Sequence, residues 1–433
     1  MTDLARPGGL ATPAASSTSH ARYYTLALLT IVYALNFLDR TIFNVLIEPI
    51  KKEFQLSDTM LGLLAGFGFV LMYSALGMPI ARLADRYNRR NIVAAGLAFW
   101  SAMTALCGMA QNVTMLACAR IGVGIGESAG TPASQSIIAD LFNKDERPRA
   151  LGIFAVGTYL GVFLGYFFGG WVNQYFGWRA AFIGAGLPGL AIAILLRFSI
   201  AEPLRRGDGG AQAERSEAIG PTFAFLFSQR SFVLALIGFC LAGFTNYSTS
   251  VWIPPFMARV HHLTSAEIGT YAGTFKGLFG IAGALLGGLV VAKISRDDDR
   301  WKLWAPAIMS GLAGPIFVVC MLTSSFHVMV GTLGLFSIFV GFHLGPIFAV
   351  AQTVAKTGMR AFAAATVLLT ATCFGQGVGP LAVGYLNDVL KAAHGAEAVR
   401  YSLLIAALAT VLGALFFAWA AQTIRADIKR AAE

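Results

Sequence analysis

The chain has 433 residues, of which 56% are hydrophobic and only 12% are charged. Soluble globular domains carry about 25% charged residues, so this composition excludes water as the main solvent of the folded chain. The formal charge of +10 does not indicate nucleic acid, because the basic residues lie in short gaps between apolar runs rather than on one solvated face.

The first 22 residues are small and polar and predict a disordered cytoplasmic tail, without the apolar core of a removable signal peptide. Twelve apolar runs follow, and each is near the length of about 20 residues that a membrane-spanning helix needs. The predicted spans are 23–48, 59–84, 91–111, 113–141, 149–172, 178–199, 231–258, 264–292, 303–324, 326–352, 361–387 and 400–424. The fold class expected is an all-α membrane protein with twelve transmembrane helices.

Basic residues are frequent in one set of loops, such as 82–90 and 293–302, and scarce in the opposite set. Because basic loops stay on the cytoplasmic side, this asymmetry predicts that both termini are cytoplasmic. The compact loops favour a bacterial inner membrane.

The longest gap between spans, 200–228, is rich in glycine and charge and predicts a cytoplasmic linker. It divides the chain into an N-terminal six-helix bundle, 23–199, and a C-terminal bundle, 229–424, followed by a cytoplasmic tail, 425–433. Shifts of 207 and 214 residues superimpose parts of the first bundle on the second. The matched pairs are Leu56/Leu263, Gly62/Gly269, Ala65/Ala272, Gly66/Gly273 and Leu71/Leu278, then Pro132/Pro346, Gly161/Gly375, Gly165/Gly379 and Gly170/Gly384. This pattern predicts two pseudo-symmetric bundles with a substrate site between them, although membrane helices drawn from a small alphabet also align by chance.

Ionisable residues within the first and fourth spans are the strongest functional signal, because charge at membrane depth is costly. The first span contains Asp39 and Arg40, and the fourth contains Arg120 and Glu127 on one helical stripe roughly 10 Å long. Asp39 and Glu127 are candidate proton sites, since a carboxylate can gain or lose a proton when its partner changes. Arg40 and Arg120 are candidate substrate-binding residues, since guanidinium groups suit carboxylate and phosphate. The alternative is a structural ion-pair network that joins the two spans.

The second half is poorer in charge. The shift of 207 residues places Asn246 where the first half has Asp39, and Lys276 is a cation in the middle of the eighth span. Both are candidate substrate-binding residues, with snorkelling as the alternative for Lys276.

The fifth span carries Gly157, Gly161, Gly165 and Gly169 at intervals of four residues. This spacing predicts a smooth face on which another helix packs closely.

The loop 81–90 resembles the signature of the major facilitator superfamily between its second and third spans. In that family the loop is a conformational latch between the halves, a role that the resemblance gives here to Asp85, Arg86, Arg89 and Arg90. Ala81 and Asn88 replace the two glycines of the pattern, and Asn88 is compatible because asparagine also adopts positive φ. The alternative is a solvated loop that follows the charge rule.

Further stretches resemble the Spinster family of that superfamily, which includes transporters of sphingosine-1-phosphate and lysophospholipids. They are 36–40, 85–89, 98–101, 120–128, 138–142 and 164–166. The resemblance implies that Asp39, Arg40, Arg120 and Glu127 lie at the central cavity, and that the substrate is lipid-like with an anionic or zwitterionic head.

The sequence contains no phosphate-binding loop for ATP and no paired metal-ligand spacing, so no cofactor or metal and no enzyme activity are expected. The hypothesis is a monomeric secondary transporter that moves an amphipathic or anionic substrate in contact with membrane lipids, with protons as the candidate coupling ion. A multidrug or sugar-acid carrier on the same scaffold remains an alternative, as does a lipid-binding receptor that does not transport.

Overall fold

The computed structural model describes residues 19–143, 145–204 and 219–432. These residues are predominantly helical and contain no β-strand, which agrees with the all-α part of the predicted fold class. The α-helices are α1 (Ser19–Val45), α2 (Ile47–Phe54), α3 (Asp58–Gly62), α4 (Gly68–Arg86), α5 (Arg89–Gly108), α6 (Val113–Glu127), α7 (Gly130–Leu141), α8 (Arg147–Ser199), α9 (Ile219–Ser228), α10 (Arg230–Val260), α11 (Ser265–Gly273), α12 (Gly280–Ile294), α13 (Trp301–Leu322), α14 (Phe326–Gly341), α15 (Leu344–Thr353), α16 (Arg360–His394), α17 (Ala398–Ser402) and α18 (Leu404–Ala432). Single π-helical turns, Leu63–Phe67 and Thr274–Phe279, join α3 to α4 and α11 to α12.

Nine helical stretches of the described chain are long and apolar enough to cross a membrane. Two of them, of 53 and 70 residues, are longer than one crossing requires. Each contains a glycine with positive φ, Gly177 inside α8 (φ 83°) and Gly395 between α16 and α17 (φ 56°), where the helix is interrupted. The predicted fourth span is not among the nine, because it is folded as the two shorter helices α6 and α7.

Helices extend into the segments predicted as tails and linker. α1 begins at Ser19, and Arg22 forms an ion pair with Glu146 (2.8 Å). α9 lies inside the predicted linker, 200–228, of which 205–218 is outside the described residues. α18 continues to Ala432 through the predicted tail, where the Asp427 carboxylate accepts a hydrogen bond from the Ser231 backbone N–H (2.7 Å). Hydrogen bonds and ion pairs to the bundle therefore order residues that composition alone assigns to tails.

Glycine contacts between the halves reproduce the internal repeat. A Cβ atom on Gly62 would lie 2.4 Å from the Pro380 carbonyl oxygen, and one on Gly269 would lie 2.5 Å from that of Tyr166. Gly62 corresponds to Gly269 under the shift of 207, and Tyr166 corresponds to Pro380 under the shift of 214. The predicted pair Gly170 and Gly384 makes equivalent contacts. A Cβ atom on Gly170 would lie 2.4 Å from the Ser265 carbonyl oxygen, and one on Gly384 would lie 2.4 Å from that of Asp58. Asp58 corresponds to Ser265 under the shift of 207. The halves are thus related by pseudo-symmetry in their packing as well as in their sequence.

The glycine face predicted for the fifth span packs against α1. Cβ atoms on Gly157, Gly161 and Gly165 would lie 2.7, 2.1 and 2.9 Å from carbonyl oxygens of α1. Only glycine permits backbones to approach this closely, so the interval of four residues fixes α8 against α1. α1 carries Asp39 and Arg40, and its position determines where the charged residues lie.

The bundle has two ends. We call the end that contains Arg22, Glu146 and Ser199 the terminal end, because α1 begins there. The opposite end, which contains α2 and the helix breaks at Gly177 and Gly395, is called the far end.

Candidate functional site

α1 and α6 bring the four predicted charged residues together, and we call Asp39, Arg40, Arg120 and Glu127 the charged cluster. Arg40 Nε donates to Glu127 Oε2 over 2.6 Å. Glu127 is fully buried, whereas 13% of the Arg40 side chain is exposed. Burying a carboxylate without water requires a paired cation, and Arg40 provides it.

Arg120 contacts Asp39 through the backbone. Its Nη1 donates to the Asp39 carbonyl oxygen over 3.1 Å, and its guanidinium carbon lies 4.8 Å from the centre of the Phe43 ring. The sequence does not reveal that this hydrogen bond goes to the Asp39 carbonyl oxygen instead of its carboxylate.

Both carboxylates of the charged cluster have a buried oxygen without a hydrogen-bond partner among the described residues. These atoms are Asp39 Oδ1 and Glu127 Oε1. Thr104 and Trp100 are neighbouring donors of Asp39, and Asn36 is a neighbouring donor of Glu127. A buried polar atom without a partner is uncommon and usually marks a place for a proton, water or ligand.

Aromatic rings surround the Arg40 guanidinium. Its central carbon lies 5.1 Å from the ring centre of Phe37, 4.8 Å from that of Phe69 and 4.7 Å from that of Tyr73. Tyr247 on α10 interacts with Arg40 electrostatically from the other half. Cation–π contacts are worth up to about 2 kcal/mol when desolvated. Sequence reasoning missed these rings, although the spacing of four residues between Phe69 and Tyr73 places them on one helical face.

Lys276 and Asn246 form the corresponding site in the second half. Lys276 Nζ donates to Thr249 Oγ1 (2.6 Å) and to the Asn246 carbonyl oxygen (3.4 Å). Lys276 lies in the π-helical turn and is partly exposed, and Asn246 is exposed. The carbonyl of Asn246 thus accepts from a lysine, as the carbonyl of Asp39 accepts from Arg120.

Two of the predicted latch residues, Arg89 and Arg90, contact Asp140 and Glu202 and not the described part of the second half. Arg89 is 2% exposed and contacts the carboxylates of Asp140 and Glu202, and the Arg90 backbone N–H donates to Glu202 (2.8 Å). Arg86 is exposed, and the side chain of Asp85 lies outside the part of the chain that the structure describes. Sequence reasoning missed Asp140 and Glu202.

Asn88, in the same loop, has a negative φ of −68°, and its side chain caps α5 by accepting from the Asn91 N–H (2.9 Å). The expectation that a positive φ explains this asparagine is therefore wrong. A cap satisfies a backbone donor at the helix start, which is the usual reason for asparagine there.

Charged residues join the two halves at the far end. Arg259 on α10 contacts Glu48 (2.7 Å) and Asp58 (2.5 Å) of the first half, and Lys51 also contacts Asp58. Asp388 on α16 accepts from the backbone N–H groups of Asp58 (3.0 Å) and Thr59 (2.8 Å). We call this contact of α3 with α10 and α16 the charged seam.

The symmetry-related contact is uncharged. The Gln174 side chain on α8 accepts from the Ser265 backbone N–H at the start of α11 (3.1 Å), and Asn173 donates to the Ser265 hydroxyl (2.8 Å). Gln174 corresponds to Asp388 under the shift of 214. We call this contact of α8 with α11 the neutral seam.

Comparison with known proteins decides the family. The profile of the Major Facilitator Superfamily matches residues 29–380. The chain belongs to this superfamily. It is 31% identical to an MFS-type efflux pump of Mycolicibacterium smegmatis over 96% of this chain and 98% of that protein.

Two further relatives bear out the Spinster resemblance. The chain is 28% identical to the sphingosine-1-phosphate transporter SPNS2 of Danio rerio, over 88% of this chain and 81% of that protein. A solved bacterial homologue of the human lysosomal transporter Spinster, inward-facing and unoccupied, superimposes with a TM-score of 0.87 at 27% identity. It covers 95% of this chain and 99% of that one. At the level of the family these proteins are multi-pass membrane transporters and not enzymes.

Proposed function

We propose that the chain is a secondary active transporter that moves an amphipathic, lipid-like organic anion by alternating access between its halves. The proposal includes twelve membrane crossings in two six-helix bundles, 23–199 and 229–424, joined by 200–228. It also places both termini in the cytoplasm of a bacterial inner membrane, and it takes the protein to act as a monomer.

The observation that carries the proposal is the position of Arg40. Its side chain is 13% exposed, and its guanidinium group is surrounded by aromatic rings and interacts electrostatically with Tyr247 of the other half. Guanidinium donors suit a phosphate or carboxylate head, and aromatic rings suit an apolar chain. Lys276 and Asn246 supply a cation and an amide from the opposite half.

Proton coupling follows from competition for Arg40. An anionic head that takes the Arg40 donors removes the partner of Glu127, which is fully buried. A buried carboxylate without a partner takes up a proton rather than remain charged. Substrate and proton would then bind together, with Asp39 as the second proton site.

A drug exporter is a second candidate, favoured by the efflux pump that matches along nearly its whole length. A sugar-acid carrier is a third, because carboxylates suit the same arginines. A receptor that binds lipid without moving it would use the same cavity.

Counterflow in proteoliposomes separates these functions. We expect a labelled lysophospholipid to exchange into vesicles that contain the wild type or Arg179→Gln, since Arg179 lies at the far-end surface and pairs with Glu53. Arg40→Gln should abolish exchange. Binding of the lysophospholipid without exchange would support the receptor. Exchange of only a labelled sugar acid, or of only a labelled drug, would support the corresponding carrier. Each of these results would overturn the lipid proposal.

A further inference from the structure

A crevice of about 420 Å³ opens at the far end beside the neutral seam. Its volume lies in the range of about 300–1,000 Å³ that small-molecule sites occupy. Both halves line it: Glu48, Lys52 and Gln174 come from the first, and His262, Ser265 and Ile268 come from the second.

The crevice is separate from the charged cluster. The Tyr166 hydroxyl donates to the Ser250 carbonyl oxygen (2.6 Å) and thereby joins α8 to α10. Tyr166 lies about two turns deeper along α8 than Gln174, and Ser250 about one turn deeper along α10 than Pro254. This hydrogen bond lies between the crevice and the centre of the bundle.

The crevice keeps unused hydrogen-bond donors from both halves. Lys52 and His262 are exposed, and neither side chain forms a hydrogen bond or ion pair with the described residues. Gln174 uses its carbonyl oxygen on Ser265, so its amide N–H groups remain as donors. The one carboxylate of the lining, Glu48, is paired with Arg259 over 2.7 Å. The crevice therefore has an unpaired cation, neutral donors and no unpaired carboxylate among its lining residues.

We propose that this crevice binds a small organic anion, with Lys52 and His262 contacting its carboxylate or phosphomonoester group from opposite halves. Gln174 supplies a further donor. Proline, valine and isoleucine side chains of the lining suit a small apolar group on the same molecule.

A ligand that bridges the halves stabilises the state in which both binding residues are close. Opening the far end would move Lys52 away from His262 and break the site. Because a ligand shifts an equilibrium toward the state it binds better, occupancy favours the closed far end and slows transport without competing at the central cavity. The inference does not depend on which substrate the central cavity accepts.

Isothermal titration of the purified full-length protein with phenyl phosphate tests the site. We expect Lys52→Gln and His262→Gln each to weaken binding about tenfold, the usual effect of losing a hydrogen bond to a charged group. Lys391→Gln, which removes an exposed far-end lysine outside the crevice, should bind as the wild type does, and phenol should not bind. Wild-type affinity in both crevice variants would overturn the proposal. Loss of binding in Arg40→Gln alone would assign the ligand to the central cavity and would also overturn it.

Spin labels at Gln55 and His394 test the bridging role, since both are exposed and lie at the far end on opposite halves. Exposed Cys118 would be replaced first. Phenyl phosphate should increase the population with the shorter distance between the labels, and Lys52→Gln should remove this response. A longer distance on binding would show that the ligand separates the halves and would overturn the bridging role.

Discussion

The two halves have the same packing and different chemistry. In each, a basic side chain donates to a backbone carbonyl oxygen, Arg120 to Asp39 and Lys276 to Asn246. Asp39 and Asn246 correspond under the shift of 207, whereas the two basic residues do not correspond. In the first half the residue that supplies this carbonyl also carries a carboxylate, and in the second half it carries an amide. The packing of the two halves is therefore alike, while the two carboxylates of the charged cluster, Asp39 and Glu127, belong to the first half.

The two far-end seams also differ in chemistry, because one is charged and the other is neutral. Of the changes that we consider, Arg259→Gln should have the largest effect on closure of the far end. Arg259 is the cation of the second half that contacts Glu48 and Asp58, and the Asp58 side chain is only 3% exposed. Removing the sole partner of a buried charge costs about 3–5 kcal/mol, and the cost here is smaller because Lys51 still contacts Asp58. Labels at Gln55 and His394 should show the far end opening.

Gln174→Ala on the neutral seam is the matched control for Arg259→Gln. It removes one hydrogen bond of about 1 kcal/mol and should open the far end much less. Equal opening in the two variants would contradict the distinction between the seams.

Gly66→Ala should also hinder far-end closure. A Cβ there would lie 2.0 Å from the Gln376 carbonyl oxygen of the other half, and overpacking of this kind costs roughly 1–3 kcal/mol. Gly77→Ala places its Cβ in open space and should transport normally. Initial uptake rates compare the two, and similar rates would show that this glycine contact does not limit closure.

Lys276→Gln should lower the apparent substrate affinity about tenfold, since it removes a charged donor from the second half. Its response to an imposed proton gradient should stay that of the wild type, because the change leaves the carboxylates of Asp39 and Glu127 and the Arg40 partner of Glu127 in place. Concentration series of uptake with and without the gradient measure both properties. Loss of the response to the gradient would place coupling chemistry in the second half as well.

The smallest effect concerns Glu53 on α2. The hydrogen bond from Arg179, with one from Trp178, holds the pKa of the Glu53 carboxyl below its usual range. Since the pKa is lower in the folded state, this stabilisation is present at neutral pH and is lost as the pH falls below about 4.3. Between pH 3 and 7, the thermal unfolding temperature of Glu53→Gln should fall less with decreasing pH than that of the wild type. Glu397→Gln, whose partner Arg400 lies 3.9 Å away, should keep the wild-type dependence; equal acid dependence in the two variants would contradict the role of Arg179.

Glycine spacing and charge at membrane depth predicted much of the fold and of the charged cluster. Gly62 and Gly170, with the matching Gly269 and Gly384, can be recognised in the sequence as helix-contact positions, because a close backbone contact accepts only glycine. Arg40 and Glu127 can be recognised in the sequence as candidate site residues, because an unpaired charge in an apolar span is costly.

The remaining contacts depend on how helices distant in sequence meet. Asp388 caps α3 from 330 residues away, and Arg259 pairs with Asp58 over 201 residues, so no local pattern reveals either. Asn88 was misread because both a positive φ and a helix cap favour asparagine.

The pH profile of proton-driven lysophospholipid uptake tests the central claim most directly. We predict that Asp39→Asn and Glu127→Gln each lose the response to an imposed proton gradient, while Asn246→Asp and Lys276→Gln retain it. If uptake and its pH dependence were intact in both Asp39→Asn and Glu127→Gln, the charged cluster would be a structural ion-pair network and the coupling role would be wrong.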